Sequence, residues 1–223
     1  MNKLQLLDNY LIGSNEDLSA LSTKDHARVL VASDSHAHFD ILHRIILQYG
    51  KSCDAFCFCG DGLSDIAHIY DTAKEDESFA SILPSVIAFV QGNCDPSSYP
   101  LSDDTELIAP PSQLLSVNNQ NIMLVHGNRE GVTYGFEKYG LKIKYAESSL
   151  PITAGLFGHT HIAEEVIEEN IKFINPGSCS SPRGGQPKSF AILTVEKNFI
   201  DTAFLKIDGM NNNSLDCKLW TPN

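Results

Sequence analysis

Apolar residues in this chain gather into short runs separated by polar breaks that carry glycine. From Arg28 the sequence reads RVLVAS and stops at Asp34-Ser35-His36; beyond Asp40, Ile41, Leu42, Ile45, Ile46 and Tyr49 recur at helical spacing up to Gly50. This predicts a strand, a polar loop and a helix. Ala55-Phe56-Cys57-Phe58-Cys59 is a second run of strand length, ending at Gly60-Asp61-Gly62, after which Ile66, Ile69, Tyr70 and Ala73 mark another amphipathic helix. A third run, Ser85 to Val90, halts at Gly92-Asn93-Cys94-Asp95. Strands this continuously apolar, joined by helical crossovers, predict a parallel sheet covered on both faces.

The second half alternates differently. Gln113 to Val117 and Ile122 to Val125 flank a polar turn and predict a hairpin. A helical segment is expected around Phe136 to Ala146, then a strand within Ile152 to Phe157. Ala163 to Glu168, Ile171 to Ile174, Phe190 to Val195 and Phe199 to Leu205 are further strand candidates, with Glu169-Asn170 a natural turn. A mainly antiparallel half beside a parallel one predicts an α/β fold of two mixed sheets packed face to face with helices outside, a four-layer αββα sandwich. Residues 1–27, with Leu4, Leu7 and Leu11 at helical spacing, are expected to be a helical lead-in to a domain at 28–205. Residues 206–223 read as a loop or disordered tail.

Composition narrows the function. The 223 residues carry 16 Lys and Arg against 28 Asp and Glu, a net charge of −12. That balance disfavours nucleic acid as the main partner, because such affinity comes largely from neutralising phosphates. No stretch reaches the roughly 18 to 20 apolar residues of a membrane span, and the six cysteines are too few and too scattered for a disulfide scaffold. A cytoplasmic enzyme with free thiols is expected. Cys53, Cys57 and Cys59 fall at alternating positions and are expected to pack in the core on one side of a sheet.

Each apolar run ends in a loop bearing Asp, His or Asn, and α/β proteins bind ligands beyond the carboxyl ends of their strands. In chain order the pieces are Asp34-x-His36, Gly60-Asp61, Gly92-Asn93, His126-Gly127 and Gly158-His159-Thr160-His161. They offer two carboxylates, one amide oxygen and four imidazoles. Oxygen and nitrogen donors without thiolate suit Mn²⁺, Fe or Zn²⁺ rather than Ca²⁺ or a structural Cys₄ zinc. Seven donors exceed the needs of one ion, whereas a pair of ions sharing a carboxylate uses them all. Glycines 60, 92, 127 and 158 are expected to let the backbone turn sharply towards the centre. His159 and His161, at i and i+2, would point the same way in an extended segment.

This order, DxH, GD, GN, H and GHxH, resembles the calcineurin-like metallophosphoesterase superfamily. Asn175-Pro176-Gly177-Ser178, followed by Pro182-Arg183-Gly184-Gly185, resembles the closing segment of its small bacterial YfcE-like phosphodiesterase branch. The resemblance implies that Asp34, His36 and His161 hold one metal, that Asn93, His126 and His159 hold the other, and that Asp61 bridges them. Two divalent ions ~3.5 to 4 Å apart acidify a bridging water and clamp phosphate oxygens. The implied activity is a metal-dependent phosphodiesterase whose nucleophile is the bridging hydroxide. Mn²⁺ is the expected metal, with Zn²⁺, Fe or Ni²⁺ as alternatives.

Asp61, Asn93 and His126 are expected to carry catalysis, and Asn93, Arg183 and His38 to contact a small-molecule phosphodiester. Many relatives place His after the Asn, but this chain has Cys94, and a thiol of ordinary pKa ~8.5 is a poor replacement for an imidazole acid. The branch sharing that feature is associated with diesters. Asp95, deprived of its usual neighbour, is expected to be a loop residue, and Asn175 and Pro176 to shape a turn. The alternatives are a phosphomonoesterase on the same site and, in another class, a non-catalytic scaffold like the similar component of retromer. The number of copies in the assembly is open, a homo-oligomer included.

Overall fold

A computed structural model describes residues 2–134, 143, 150–211 and 214–222. The chain runs through β1 (Gln5–Leu6), β2 (Ile12–Gly13), α1 (Asn15–Thr23), β3 (His26–Ala32), α2 (Phe39–Tyr49), β4 (Ala55–Phe58), α3 (Leu63–Glu75), α4 (Glu77–Ala80) and β5 (Val86–Phe89). A small hairpin of β6 (Ser98–Pro100) and β7 (Glu106–Ile108) leads to β8 (Ser112–Val117), β9 (Gln120–Val125), β10 (Ala154–Leu156) and β11 (Ala163–Glu168). Last come β12 (Ile171–Pro176), β13 (Ser189–Glu196), β14 (Phe199–Met210) and β15 (Leu215–Trp220).

Two mixed sheets face each other, in an α/β architecture. One has eight strands in the order β1-β2-β5-β4-β3-β13-β14-β15, the other five in the order β11-β12-β10-β9-β8. β3, β4 and β5 are parallel neighbours, as their unbroken apolar runs require. Each sends alternate side chains to opposite faces. Val29, Val31, Ala55, Cys57 and Ala88 meet Leu115, Ile122, Leu124 and Ile174 between the sheets. On the other face, Leu30, Phe56, Phe58 and Phe89 pack with Ile41, Leu42 and Ile45 of α2 and Ile66 and Ile69 of α3. Strands β4 and β5 thus turn the small side chains of Ala55, Cys57 and Ala88 towards the other sheet and the rings of Phe56, Phe58 and Phe89 towards the helices. On the outer face of the five-stranded sheet, Met123, Val125, Phe157 and Phe173 form a third cluster with Ile143 and Ile152. The helix expected around 136–146 lies outside the described residues, Ile143 excepted.

Strands β13 and β14, from the second half of the chain, join the first sheet, where β13 pairs antiparallel with β3 and makes that sheet mixed, as expected. The run Phe190 to Leu193 is buried on both faces, and only a central position in a sheet provides that. Two expectations are corrected. Leu4, Leu7 and Leu11 do not share a helix. β1 and β2 form a small antiparallel pair, and Ile12 pairs with Ile87 at the sheet edge. Leu11 and Ile12 are both buried, which suits extended backbone, and the helix starts only after Ser14, whose hydroxyl accepts the Asp17 N–H. The C-terminal stretch is not a loose tail: β14 continues to Met210 and β15 returns beside it, with Leu215 buried and tied to Gln48 of α2.

Cys57 and Cys59 lie between the sheets as expected, but Cys53 sits in the cluster under the helices, because the chain is still turning through Gly50–Ser52 before β4 begins. Among the described residues, no helix is long and apolar enough to cross a membrane.

Phe190 is fully buried, and its ring lies 5.1 Å from that of Tyr49. Phe190→Ala should therefore cost about 3–5 kcal/mol, read as a lowered urea midpoint with an unchanged slope. A loss below about 1 kcal/mol would contradict the central placement of β13.

Candidate metal centre

The loops following β3, β4, β5, β9 and β10 bring the seven donor residues of the motifs into two adjoining groups. In the first, His161 Nε2 lies 3.2 Å from Asp34 Oδ1 and 3.1 Å from His36 Nε2. His36 Nε2 in turn is 3.8 Å from Asp61 Oδ2, and Asp34, His36, Asp61 and His161 each offer a donor atom within 4.8 Å of the others. In the second group, His126 Nε2 lies 3.5 Å from the same Asp61 Oδ2 and 3.1 Å from Asn93 Oδ1. The His159 ring is 5.1 Å from the His126 ring. One carboxylate oxygen of Asp61 therefore faces both groups.

Most of the sharp turning is done by the donor residues themselves. Asp34, His36, Asp61, His159 and His161 all have positive φ, between +47° and +66°, a region that costs an L residue free energy and tends to occur at functional sites. With both His159 and His161 left-handed, the pair does not point one way. His161 joins the first group, and His159 lies edge-on to His126 in the second. Gly92 and Gly158 are needed for close approach: a Cβ on Gly92 would collide with Asp61, and one on Gly158 with Ser33 Oγ and, at 2.6 Å, Asp34 Oδ2.

The hydrogen bonds behind the rings determine their tautomers. His161 Nδ1 lies 2.6 Å from Ser181 O and His126 Nδ1 lies 2.7 Å from Cys59 O. A carbonyl can only accept, so each Nδ1 carries a proton, and in its neutral form each ring turns a bare Nε2 lone pair inwards. There the lone pairs meet carboxylate, amide and imidazole acceptors. Among the described residues Asp34 Oδ1 is buried without a hydrogen-bond partner, and the neutral ring of His161, 3.2 Å away at Nε2, has no hydrogen to give it. Acceptors facing acceptors in a buried site repel unless a cation stands among them, so this donor set fits divalent metal.

The electrostatics point the same way. Burial alone would raise the Asp61 pKa, but His126 and the Cys94 N–H outweigh it and hold the carboxyl well below the usual range. Burial lowers His126 and His161, yet Asp61 and Asp34 respectively overcome it, so both rings attract a proton when no metal competes. His159 is lowered, by burial first and by His126 second. The Cys94 thiol is pushed up to about 11 by burial and by Asp61.

The remaining candidates are placed at the rim. Arg183 is exposed, its main-chain N–H donates to His161 O at 3.1 Å, and its charge adds to the lowering of His159 and opposes the rise of His161. His38 is exposed, and its Nδ1 lies 3.0 Å from the carbonyls of Ser35 and His36, so its donor is directed at the loop that carries His36. Asn93 is also exposed, with Nδ2 donating to Cys94 Sγ at 3.2 Å. Asn175 shapes the chain near the site, donating from Nδ2 to Gly158 O at 2.8 Å and to Thr160 Oγ1 at 2.9 Å.

Three supporting residues escaped the sequence reading. Asp95 accepts backbone N–H bonds from Asp61 at 2.8 Å and from Gly62, Leu63 and Gly92 at 2.9 Å each, so it is much more than a loop residue. The available signal was Gly62, an N-cap with no side chain to offer α3, which leaves the helix to find a carboxylate elsewhere. Asp65 is buried, with its pKa raised by burial, and accepts the Ser35 hydroxyl. Ser178 Oγ donates to Asp34 O at 2.7 Å. Neither contact has a sequence signature.

Residues 28–198 match the model of the calcineurin-like phosphoesterase superfamily domain. The chain is 29% identical over 189 residues to the probable metallophosphoesterase YsnB of Bacillus subtilis, covering 82% of this chain and 96% of that protein. It is 27% identical over 194 residues to phosphodiesterase YfcE of Escherichia coli K12, covering 84% and 95%. A predicted phosphoesterase of Streptococcus pneumoniae shares the fold at a TM-score of 0.59 and 22% identity, over 87% of this chain and 98% of that one.

Gly158→Ala should lower stability by about 1–3 kcal/mol, because its Cβ has no room beside Ser33 and Asp34, and divalent-metal affinity should fall with it. Gly209→Ala meets nothing within 4 Å among the described residues and should leave metal affinity unchanged. Melting curves with and without Mn²⁺ separate the two; equal behaviour would contradict the close approach.

Proposed function

We propose that this chain, which belongs to the calcineurin-like phosphoesterase superfamily, is a phosphodiesterase working through a pair of divalent metals. The observation that carries this reading is the arrangement of inward-facing acceptors in two groups around a single oxygen of Asp61. Asp34, His36, His161 and Asp61 would hold one ion, and Asp61, Asn93, His126 and His159 the other. Two such ions supply Lewis acidity towards phosphate oxygens and a water acidic enough to attack near pH 7. Their donors are oxygen and nitrogen only, which favours Mn²⁺, with Zn²⁺, Fe and Ni²⁺ as alternatives.

The protein's own groups orient the substrate. Arg183, beside His159 and His161 and open to solvent, offers a planar cation for a phosphate oxygen. Asn93 directs its carbonyl oxygen at His126 and keeps its amide group at the mouth of the site. Cys94, protonated and a weak acid, cannot replace an imidazole in protonating a leaving oxygen, so leaving groups that depart as stabilised anions are preferred. The E. coli relative is named a phosphodiesterase, which supports diesters over monoesters. The net charge of −12 favours a small-molecule diester in the cytoplasm over nucleic acid.

Metal-stripped protein supplied with Mn²⁺ should hydrolyse bis(p-nitrophenyl) phosphate at least about tenfold better than p-nitrophenyl phosphate. Asp61→Ala and His159→Ala should each lower diester turnover about 100-fold or more, together with bound metal. If both variants kept wild-type turnover and metal content, the reading would be wrong.

A further inference from the structure

We propose that Asp95 is a positioning residue for the metal centre: its carboxylate holds the main chain that carries Asp61, and so determines which oxygen of Asp61 is shared between the two groups. The inference rests on the two-group reading above. Asp61 sits at φ +56°, just beyond β4, in a conformation that needs outside support. That support comes from 34 residues further along. Asp95 Oδ2 accepts the N–H of Asp61 at 2.8 Å and of Gly92 at 2.9 Å, joining the loop after β4 to the loop after β5. Asp95 Oδ1 accepts the N–H groups of Gly62 and Leu63, both at 2.9 Å, where α3 begins without a capping side chain. An anionic acceptor at the first turn of a helix is favoured by both hydrogen bonding and the helix dipole.

The clamp is reciprocal. While the Asp95 side chain holds the Asp61 main chain, the main-chain N–H of Cys94 donates to Asp61 Oδ1 at 2.7 Å. With Oδ1 directed at that N–H, Oδ2 is the oxygen left facing His36 at 3.8 Å and His126 at 3.5 Å. The loop is further pinned by Gln91 Nε2, which donates to Asp95 O at 3.2 Å. Gly92 allows the two loops to lie this close, since a Cβ there would strike Asp61. Asp95→Asn keeps the size of the side chain but turns an NH₂ towards two N–H donors whichever way the amide lies, and Asp95→Ala removes all four bonds.

The test titrates Mn²⁺ into metal-stripped full-length wild type, Asp95→Asn and Asp95→Ala, following stoichiometry and the electron paramagnetic resonance spectrum. Wild type should bind two ions with a spin-coupled signal. The variants should keep the first ion but bind the second at least about tenfold more weakly, replacing the coupled signal with that of an isolated ion. On bis(p-nitrophenyl) phosphate, kcat should fall about tenfold or more while KM changes less than about threefold. In the metal-free variants, the amides of Asp61, Gly62 and Leu63 should exchange with solvent at least about tenfold faster, with those of β3 and β13 unchanged. Variants that fold, keep the coupled pair and keep kcat overturn the proposal. So does metal-free wild type in which those three amides exchange as fast as unbonded loop amides, a comparison that needs no variant. If wild type bound no Mn²⁺ and cleaved no diester, the phosphodiesterase reading would fail, while the exchange comparison would still decide the clamp.

Discussion

The constraint on which this molecule depends is mutual repulsion among buried acceptors. Carbonyls behind His126 and His161 accept from the Nδ1 hydrogens and aim the Nε2 atoms at Asp61 and Asp34, and one oxygen of Asp34 is left buried without a partner among the described residues. Such an arrangement costs folding free energy by itself and becomes favourable only around positive charge. The shifts run in the same direction: the carboxylates raise His126 and His161, and His126 helps lower Asp61. Divalent cations would supply that charge.

Holding that arrangement falls to a rigid frame. Small side chains on the larger sheet, Ala55, Cys57 and Ala88 among them, meet Ile122 and Leu124 of the smaller one, so the two sheets pack closely. The loops beyond β3, β4, β5, β9 and β10 therefore start from fixed positions. Strain is concentrated where the chain leaves those strands, in five donor residues with positive φ. The surrounding structure compensates with a dense set of hydrogen bonds: Ser178 and Ser180 to the carbonyl of Asp34, Asn175 to that of Gly158, and Asp95 to four N–H groups. The supporting residues thus act on backbone rather than on donor atoms, which leaves the donor atoms free to meet a ligand.

Cys94 illustrates how one position affects both chemistry and architecture. Its thiol, raised to about 11, is too weak an acid for an imidazole's task, yet its N–H is what occupies Oδ1 of Asp61. The side chain there can vary without disturbing the main-chain bond, so the chemistry at the mouth of the site can change while its frame stays the same.

Local pattern determined a good deal. The unbroken runs at Arg28, Ala55 and Ser85 marked β3, β4 and β5, because a strand buried on both faces must be apolar throughout, and the donor-bearing breaks that end the runs marked the corners of the centre. Periodicity could not say which strands would be neighbours. It did not show that β13 would pair with β3, and it read Leu4, Leu7 and Leu11 as a helix, because a spacing of three or four residues records repetition but not the surface that receives it. The residues around Asp208 looked like a tail because Leu215 is held at α2 by Gln48, 167 residues away along the chain. Asp95 was hidden for the same reason: a carboxylate's role is defined by the donors that fold onto it, and its donors at Asp61, Gly62 and Leu63 reach it only when two separate loops close together.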